Sequence, residues 1–158
     1  MPRKKTKSLQ RQINPDRKYD SVLVQRFINK VMQDGKKLKA ERIVYDAFDE
    51  IEKRTKQPAL EVFEKAVENM APQMEVKSKR VGGANYQVPY EVKGNRRTHL
   101  AFMWLVQITR KKSGKPMSHR IADEIVNAYN ETGDTFKKKE DAHRMAEANR
   151  AFAHLARF

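Results

Sequence analysis

The sequence predicts a mainly α chain: a helical bundle of about six helices with a protruding two-stranded β-hairpin arm. Three observations carry that prediction. Apolar residues recur at helical spacing in six separate stretches. Between about residues 74 and 92 the period drops to two on both sides of a Gly-rich turn. Gly35, Pro72 and Gly133 fall where helical stretches stop. A chain of 158 residues is one domain's worth of polypeptide. With hydrophobic residues at 39%, against a usual roughly 45–50%, its core is expected to be lean.

The first helix begins near Tyr19, where Asp20 or Ser21 can cap and Leu23, Phe27, Ile28 and Val31 form one apolar face; Gly35 is expected to end it. A second runs from about Leu38 to Lys53 and presents Ile43, Val44, Ala47, Phe48 and Ile51. Pro58 opens a third, with Leu60, Phe63, Val67 and Met70 inward. In the hairpin, Met74, Val76 and Ser78 alternate with charged residues before the turn Gly82-Gly83-Ala84-Asn85, and Tyr86, Val88, Tyr90 and Val92 alternate after it. Pro89 makes its strand an edge. A fourth helix follows from about Arg96 to Lys111, with Leu100, Met103, Trp104 and Ile108 inward. Ile121, Ile125, Val126 and Tyr129 mark a fifth, and a last one from roughly Lys138 to Ala153 has Met145, Ala148 and Phe152 as its stripe.

Charge is unevenly distributed. The chain carries 34 Lys+Arg against 20 Asp+Glu, a formal net charge of +14, which points to a polyanionic partner. Residues 1–18 hold seven bases and one acid, among them Arg3, Lys4, Lys5, Lys7 and Arg11. Such a segment cannot offset its own ordering entropy and is expected to be a tail, disordered when free, ahead of a single domain at 19–158. From Ala40 to Glu75 the sign reverses, with nine acids against five bases. One side of the protein is thus expected to be basic, and another to face water or a protein.

Enzyme chemistry is poorly supported. No cysteine is present, which removes disulfides and thiol catalysis and fits a reducing compartment. His119 and Asp123 share a helix face but lack a third metal ligand. Gly35-Lys36-Lys37 and Gly114-Lys115 lack the upstream Gly and following Ser or Thr of a phosphate-binding loop. Asp46, Asp49, Glu61 and Glu68 have solvated-face spacing rather than the convergence a two-metal nuclease needs. The reading is no enzyme, no cofactor, no metal and no small-molecule substrate. Neither a leader nor a membrane span of about 20 apolar residues is visible, and the last helix is too polar for a membrane surface.

Nucleic-acid signals are stronger. Lys36 and Lys37 sit at a helix–helix turn, where a phosphate can meet both side chains and adjacent backbone N–H groups. Lys77, Lys79 and Arg80, with Lys93, Arg96 and Arg97 at the returning base, bring six cations to the hairpin. Arg110, Lys111, Lys112 and Lys115 add a fourth cluster to these and the tail. At the arm tip, from Val81 through Gly82, Gly83, Ala84 and Asn85 to Tyr86, Tyr86 either stacks on a base or pairs across the hairpin. Trp104 reads as core.

Three long motifs carry a resemblance. The stretch with Phe27-Ile28, Asp34-Gly35-Lys36-Lys37, Ile43-Val44 and Ala47 is one. The run Glu75-Val76-Lys77-Ser78, Arg80-Val81-Gly82-Gly83 and Tyr86-Gln87-Val88-Pro89 is the second. The third is Lys138-Lys139-Glu140-Asp141 with His143 through Asn149 and Phe152-Ala153-His154. Together they resemble, over essentially the whole chain, the family of ribosomal protein seven of the bacterial small subunit. That resemblance implies a primary binder of the 3′ major domain of 16S rRNA that nucleates assembly of the subunit head. It also implies a hairpin and last helix near the exit (E) site, messenger RNA and exit-site tRNA, and contacts with small-subunit proteins nine and eleven. The location implied is the small ribosomal subunit of the cytoplasm or an organelle, as one copy rather than a homo-oligomer. On this chain the implied rRNA contacts are the tail, Lys36-Lys37, the hairpin base and the Arg110–Lys115 turn; Arg144, Asn149 and Arg150 on the last helix become protein or exit-site contacts. The alternative from another class is a DNA-bending architectural protein with a β-ribbon arm, which would want an apolar wedge at the tip.

Overall fold

A computed structural model of the chain describes residues 12–157. Its elements run α1 (Val22–Val31), α2 (Lys37–Thr55), α3 (Ala59–Met70), β1 (Met74–Val81), β2 (Ala84–Glu91), α4 (Asn95–Lys111), α5 (Met117–Tyr129), α6 (Gly133–Ala148) and a 3-10 helix (Arg150–Arg157). The expected helical bundle with one hairpin arm is what forms. Tail residues 1–11, with Arg3, Lys4, Lys5, Lys7 and Arg11, lie outside the described residues.

The main core joins α1, α2, α3, α4 and α5, and rings connect the first four of them. Phe27 meets Phe102 at 5.2 Å between centroids, Phe102 stacks on Phe63 at 6.0 Å, and Phe63 meets Phe48 at 5.1 Å. Aromatic pairs in such tilted or offset arrangements add to the apolar area they bury. Ser21 caps α1 as expected, its hydroxyl accepting from the Val24 N–H. The packed body reaches back to Asp16, only 3% exposed, whose carboxylate accepts from the backbone N–H groups of Lys18, Tyr19 and Ser21 and from the Tyr45 hydroxyl. Residues 16–18, tail by composition, are therefore fastened to α2, where Lys18 also pairs with Asp49 at 2.6 Å.

Several sequence expectations are corrected. The first helix stops at Val31, not Gly35, because an extended Met32 turns back onto the core; Asp34 and Gly35, both at positive φ, complete the turn. The fourth helix is buried on two sides. Leu100 and Trp104 join Val92 in a small cluster under the arm, while Ala101, Phe102, Leu105 and Val106 serve the main core and Ile108 is only partly covered. Gly133 does not end α5 but opens α6: a Cβ there would lie 2.9 Å from the Asn127 Cβ, so only glycine lets the two helices approach. The last helix ends at Ala148 rather than Ala153. Its inward stripe is Thr135, Lys139, Ala142, His143 and Ala146, whereas Met145 is 54% exposed.

The hairpin pairs Met74 with Glu91 through Val81 with Ala84, antiparallel. Its turn is two residues, Gly82-Gly83, not four. Both glycines have positive φ, as a primed turn between twisted strands requires, so Ala84 and Asn85 belong to β2. The Val92 N–H to Gln73 carbonyl bond, 2.8 Å, extends the ladder to the base. The arm also leans on the C-terminus. Tyr86 packs on Phe152 with centroids 5.2 Å apart, and Lys79 Nζ donates to the Leu155 carbonyl at 3.0 Å. Tyr86 stands opposite Lys79 rather than Val81, and its ring is covered by the 3-10 helix, so it is not free on an exposed finger.

Candidate nucleic-acid interface

Residues 12–15 run between two helix faces and bring separate basic stretches together. On one side they line a hollow with Gln25 and Asn29 of α1 and Lys37 and Glu41 of α2. On the other they wall a groove of about 790 Å³ whose remaining lining is Val22, Arg26, Asn29 and Lys30 of α1 and Asn95, Thr98, His99 and Phe102 of α4. Lys36 and Lys39 line a third, small hollow at the α1–α2 turn. The root of the tail, the Lys36-Lys37 turn and the start of α4 therefore share one region.

Within that region the cations are weakly held. Lys36 lies 3.4 Å from Asp34 with both side chains well exposed, and Lys37 is 3.8 Å from Glu41. The exposed Lys36–Asp34 pair contributes little, and Lys37, itself half exposed, stands at long range from a buried Glu41, so both ammonium groups remain available to phosphate. Their own backbone N–H groups are already engaged. The Lys36 and Lys37 N–H groups donate to the Gln33 and Gly35 carbonyls within the turn.

The hairpin cations divide into structural and outward groups. Arg96 donates Nη2 to Glu75 at 2.9 Å and Lys77 reaches the same carboxylate at 2.7 Å. Burial pushes the Glu75 carboxyl up, but the hydrogen bonds from Lys77 and Arg96 more than reverse this and hold it below the ordinary carboxylate range. Arg97 turns the other way, giving Nε to the Pro72 carbonyl. Lys93 pairs with Glu91 at 2.9 Å in the open, Lys79 is engaged with Leu155, and Arg80 is exposed near the tip. Val81, Gly82, Gly83, Ala84 and Asn85 are all exposed.

Three of the four cations of the Arg110–Lys115 cluster have protein partners, although all but Lys112 are exposed. Arg110 donates to the Val31 carbonyl, closing the C-terminus of α1. Burial lowers the Lys112 ammonium's affinity for its proton, yet hydrogen bonds to Asp134 and Glu124 raise it above the ordinary lysine value. Lys115 pairs with Asp123, which also holds Arg54 of α2. Lys111 is exposed at the end of α4. On α6 and beyond, Arg144 and Arg150 are 79% and 80% exposed at the side chain, paired loosely with Asp141 and Glu147. Asn149 instead caps the helix, its amide donating to the Met145 carbonyl at 2.8 Å.

Sequence reasoning missed Arg26, Asn29, Lys30 and His99. Arg26 and Lys30 are four apart on α1, opposite its apolar face, a spacing that marks one helix stripe and was the available signal. Lys30 and His99 line the same groove, and burial, Lys30 and Arg96 together hold the His99 imidazole below its ordinary value. A second groove, lined by Leu23, Glu61, Glu64, Lys65, Glu68 and Arg97 among others, adjoins the first at Thr98 and mixes three acids with two bases. Neither groove has catalytic furniture. Among the described residues no three His, Asp or Glu side chains are placed to hold a metal, and His119 lies near Glu50, 3.8 Å away.

Comparison with known sequences fits this geometry to a family. The profile described as ribosomal protein S7p/S5e matches residues 2–150. The chain is 60% identical over 159 aligned positions to the small ribosomal subunit protein uS7 of Roseiflexus sp. (strain RS-1), covering all of both chains. It is 60% identical to that of Chloroflexus aggregans, covering 93% of this chain and 94% of the other, and 59% identical to that of Thermotoga petrophila, covering 91% and 93%. The match spans the helical body and the β-arm, and the chain belongs to the ribosomal protein S7p/S5e family, structural proteins of the small ribosomal subunit.

Proposed function

We propose that the protein is a structural component of the small ribosomal subunit, in the cytoplasm, and a primary binder of the 3′ major domain of 16S rRNA that nucleates assembly of the subunit head. The observation that carries this is the convergence of the tail root, Lys36-Lys37, Arg26, Lys30 and the start of α4 on one region, where among the described residues the only acids paired with Lys36 and Lys37 are Asp34 at 3.4 Å and Glu41 at 3.8 Å. RNA helices hide their major-groove edges from side chains, so a rigid body displaying dispersed cations suits the phosphates and 2′-OH groups of a junction. The tail, Lys77, Lys79, Arg80 and Lys111 extend that contact. Arg96, Arg97, Arg110, Lys112 and Lys115 also hold the helices and arm in place through Glu75, Pro72, Val31, Glu124 and Asp123, as Lys77 and Lys79 brace the arm through Glu75 and Leu155.

The exposed tip from Val81 to Asn85 approaches messenger RNA and exit-site tRNA, and Arg144 and Arg150, with the end of α6, meet the exit site or small-subunit proteins nine and eleven. The two-glycine turn carries no side chain, and Val81 beside it is smaller than the Phe, Leu, Ile or Met wedges of DNA-bending arms, which sets this reading above a DNA-bending role.

The test is binding to a 3′ major domain rRNA fragment and to a DNA duplex of equal length across a salt series. Selective RNA binding that persists at high salt is expected. Equal affinities that collapse together with salt would reduce the interaction to general charge attraction and overturn the reading.

A further inference from the structure

The groove between residues 12–15, α1 and α4 combines features that a phosphate-tracking surface alone does not need. Its floor is apolar and open. Ile13 and Val22, at 39% and 40% exposure, are two of the few large apolar side chains left uncovered among the described residues, and both line it. Its rim is cationic, with Arg26 and Lys30, and no acid is among its lining residues. Two amides are already oriented. Asn95 accepts Arg26 Nη1 on its Oδ1 at 2.9 Å, and Asn29 accepts Gln25 Nε2 on its Oδ1 at 3.1 Å. With both oxygens occupied, the amide NH₂ groups remain as donors. His99, held toward its neutral form by burial and by Lys30 and Arg96, offers one further donor and one acceptor.

We propose that this groove seats one unstacked nucleotide of the bound RNA, its base on Ile13 and Val22, its phosphate between Arg26 and Lys30, and its acceptor-rich edge facing the Asn29 and Asn95 amides. The volume, about 790 Å³, lies in the range of small-ligand sites. Paired donors favour a keto base such as uracil, which presents two carbonyl oxygens, over adenine, whose exocyclic amine is itself a donor. Unstacked bases in loops and bulges are where proteins read RNA sequence. The inference rests on the RNA-binding reading above and adds a base-reading pocket to it.

Short single-stranded oligouridine and oligoadenine, with an RNA duplex of equal length, separate the two. For the full chain at near-physiological salt, oligouridine is expected to bind on the order of tenfold more tightly than oligoadenine, the worth of one or two hydrogen bonds. The double variant Asn29→Ala/Asn95→Ala should lose that preference, its oligouridine affinity falling to that for oligoadenine. Lys36→Ala/Lys37→Ala, outside the groove, should weaken all three ligands and keep the preference. No preference in the parent chain, or a preference unchanged in the double asparagine variant, would overturn the pocket while leaving RNA binding intact. A preference that emerges only after removal of residues 1–11 would overturn it in favour of the chain's own tail as occupant. Equal binding of all three and of a DNA duplex would remove the RNA reading itself, and the pocket with it.

Discussion

Glu124 has no accessible surface, yet it carries a carboxylate. It is tolerated because every direction it faces is answered: Lys112 Nζ at 2.6 Å, the Thr135 N–H at 2.7 Å, and the close pass of Gly133. Removing one partner of such a pair leaves the other uncompensated. Glu124→Ala is therefore expected to cost about 2–3 kcal/mol, discounted from a fully buried pair because the Lys112 side chain is 36% exposed. Thermal unfolding should read this as a loss of roughly 5–10 °C. Gly133→Ala is expected to cost about 1–3 kcal/mol, since its φ is +91 and the new methyl meets the Asn127 side chain. Glu68→Ala, which breaks an exposed pair with Lys65, should stay within about 0.5 kcal/mol. Equal melting points for Glu124→Ala and Glu68→Ala would contradict the buried latch.

Among elements, α6 shows where the sequence pattern was readable and where it was not. The first three helices announce themselves because their inward positions are apolar. The docking stripe of α6 is Thr135, Lys139, Ala142, His143 and Ala146, so a search for apolar spacing settles on Met145 and misses the phase. The helix is held instead by polar fits, including the Gln73 N–H donating to His143 Nε2 at 2.9 Å. Burial, Lys139 and Arg97 keep that imidazole below its ordinary 6.5. With the folded value lowered, the unfolded chain takes up protons first, so this hydrogen bond is fully present above about pH 6.5 and weakens progressively as pH falls toward the folded value. Trp104 lies in the neighbouring cluster with Ala142 at its edge, and its fluorescence should change as pH falls below about 6.5, where the lowered imidazole takes up its proton. In His143→Gln, which cannot titrate, that change should be absent. The arm should behave likewise as a unit. Phe152→Ala is expected to speed amide exchange in β2 about tenfold while leaving the helices of the main core unchanged.

For the whole molecule, fold class was legible because periodicity is a local property, and the interface only partly so because convergence is not. Lys36, Lys37 and the tail were visible as charge runs. Arg26 and Lys30 were not, since two cations four apart on a helix acquire meaning only beside Asn95 and His99, which lie on α4, far along the chain. Conversely Lys112 and Lys115 read as free charge and are spent on Glu124, Asp134 and Asp123. The tail experiment follows from this. Because Asp16 and Lys18 fasten the body, a deletion that tests the tail should stop at Arg11. It should lower the salt dependence of rRNA binding by roughly 0.7–0.9 for each phosphate that the tail neutralises, with an unchanged melting point. A salt slope identical to the full chain's would mean those cations touch no phosphate.

The support that Phe152 and Leu155 give the arm has a mechanical consequence. A strand advances about 3.4 Å per residue, so beyond the propped Lys79–Tyr86 pair the hairpin overhangs by only about 7 Å before its turn. Without that prop the overhang would be longer, limited only by the packing of α6 against the strands. The deflection of a cantilever under a given end load grows with the cube of its free length. The C-terminal 3-10 helix thus converts a beam that would sway into a stub that holds Gly82-Gly83 at a fixed address.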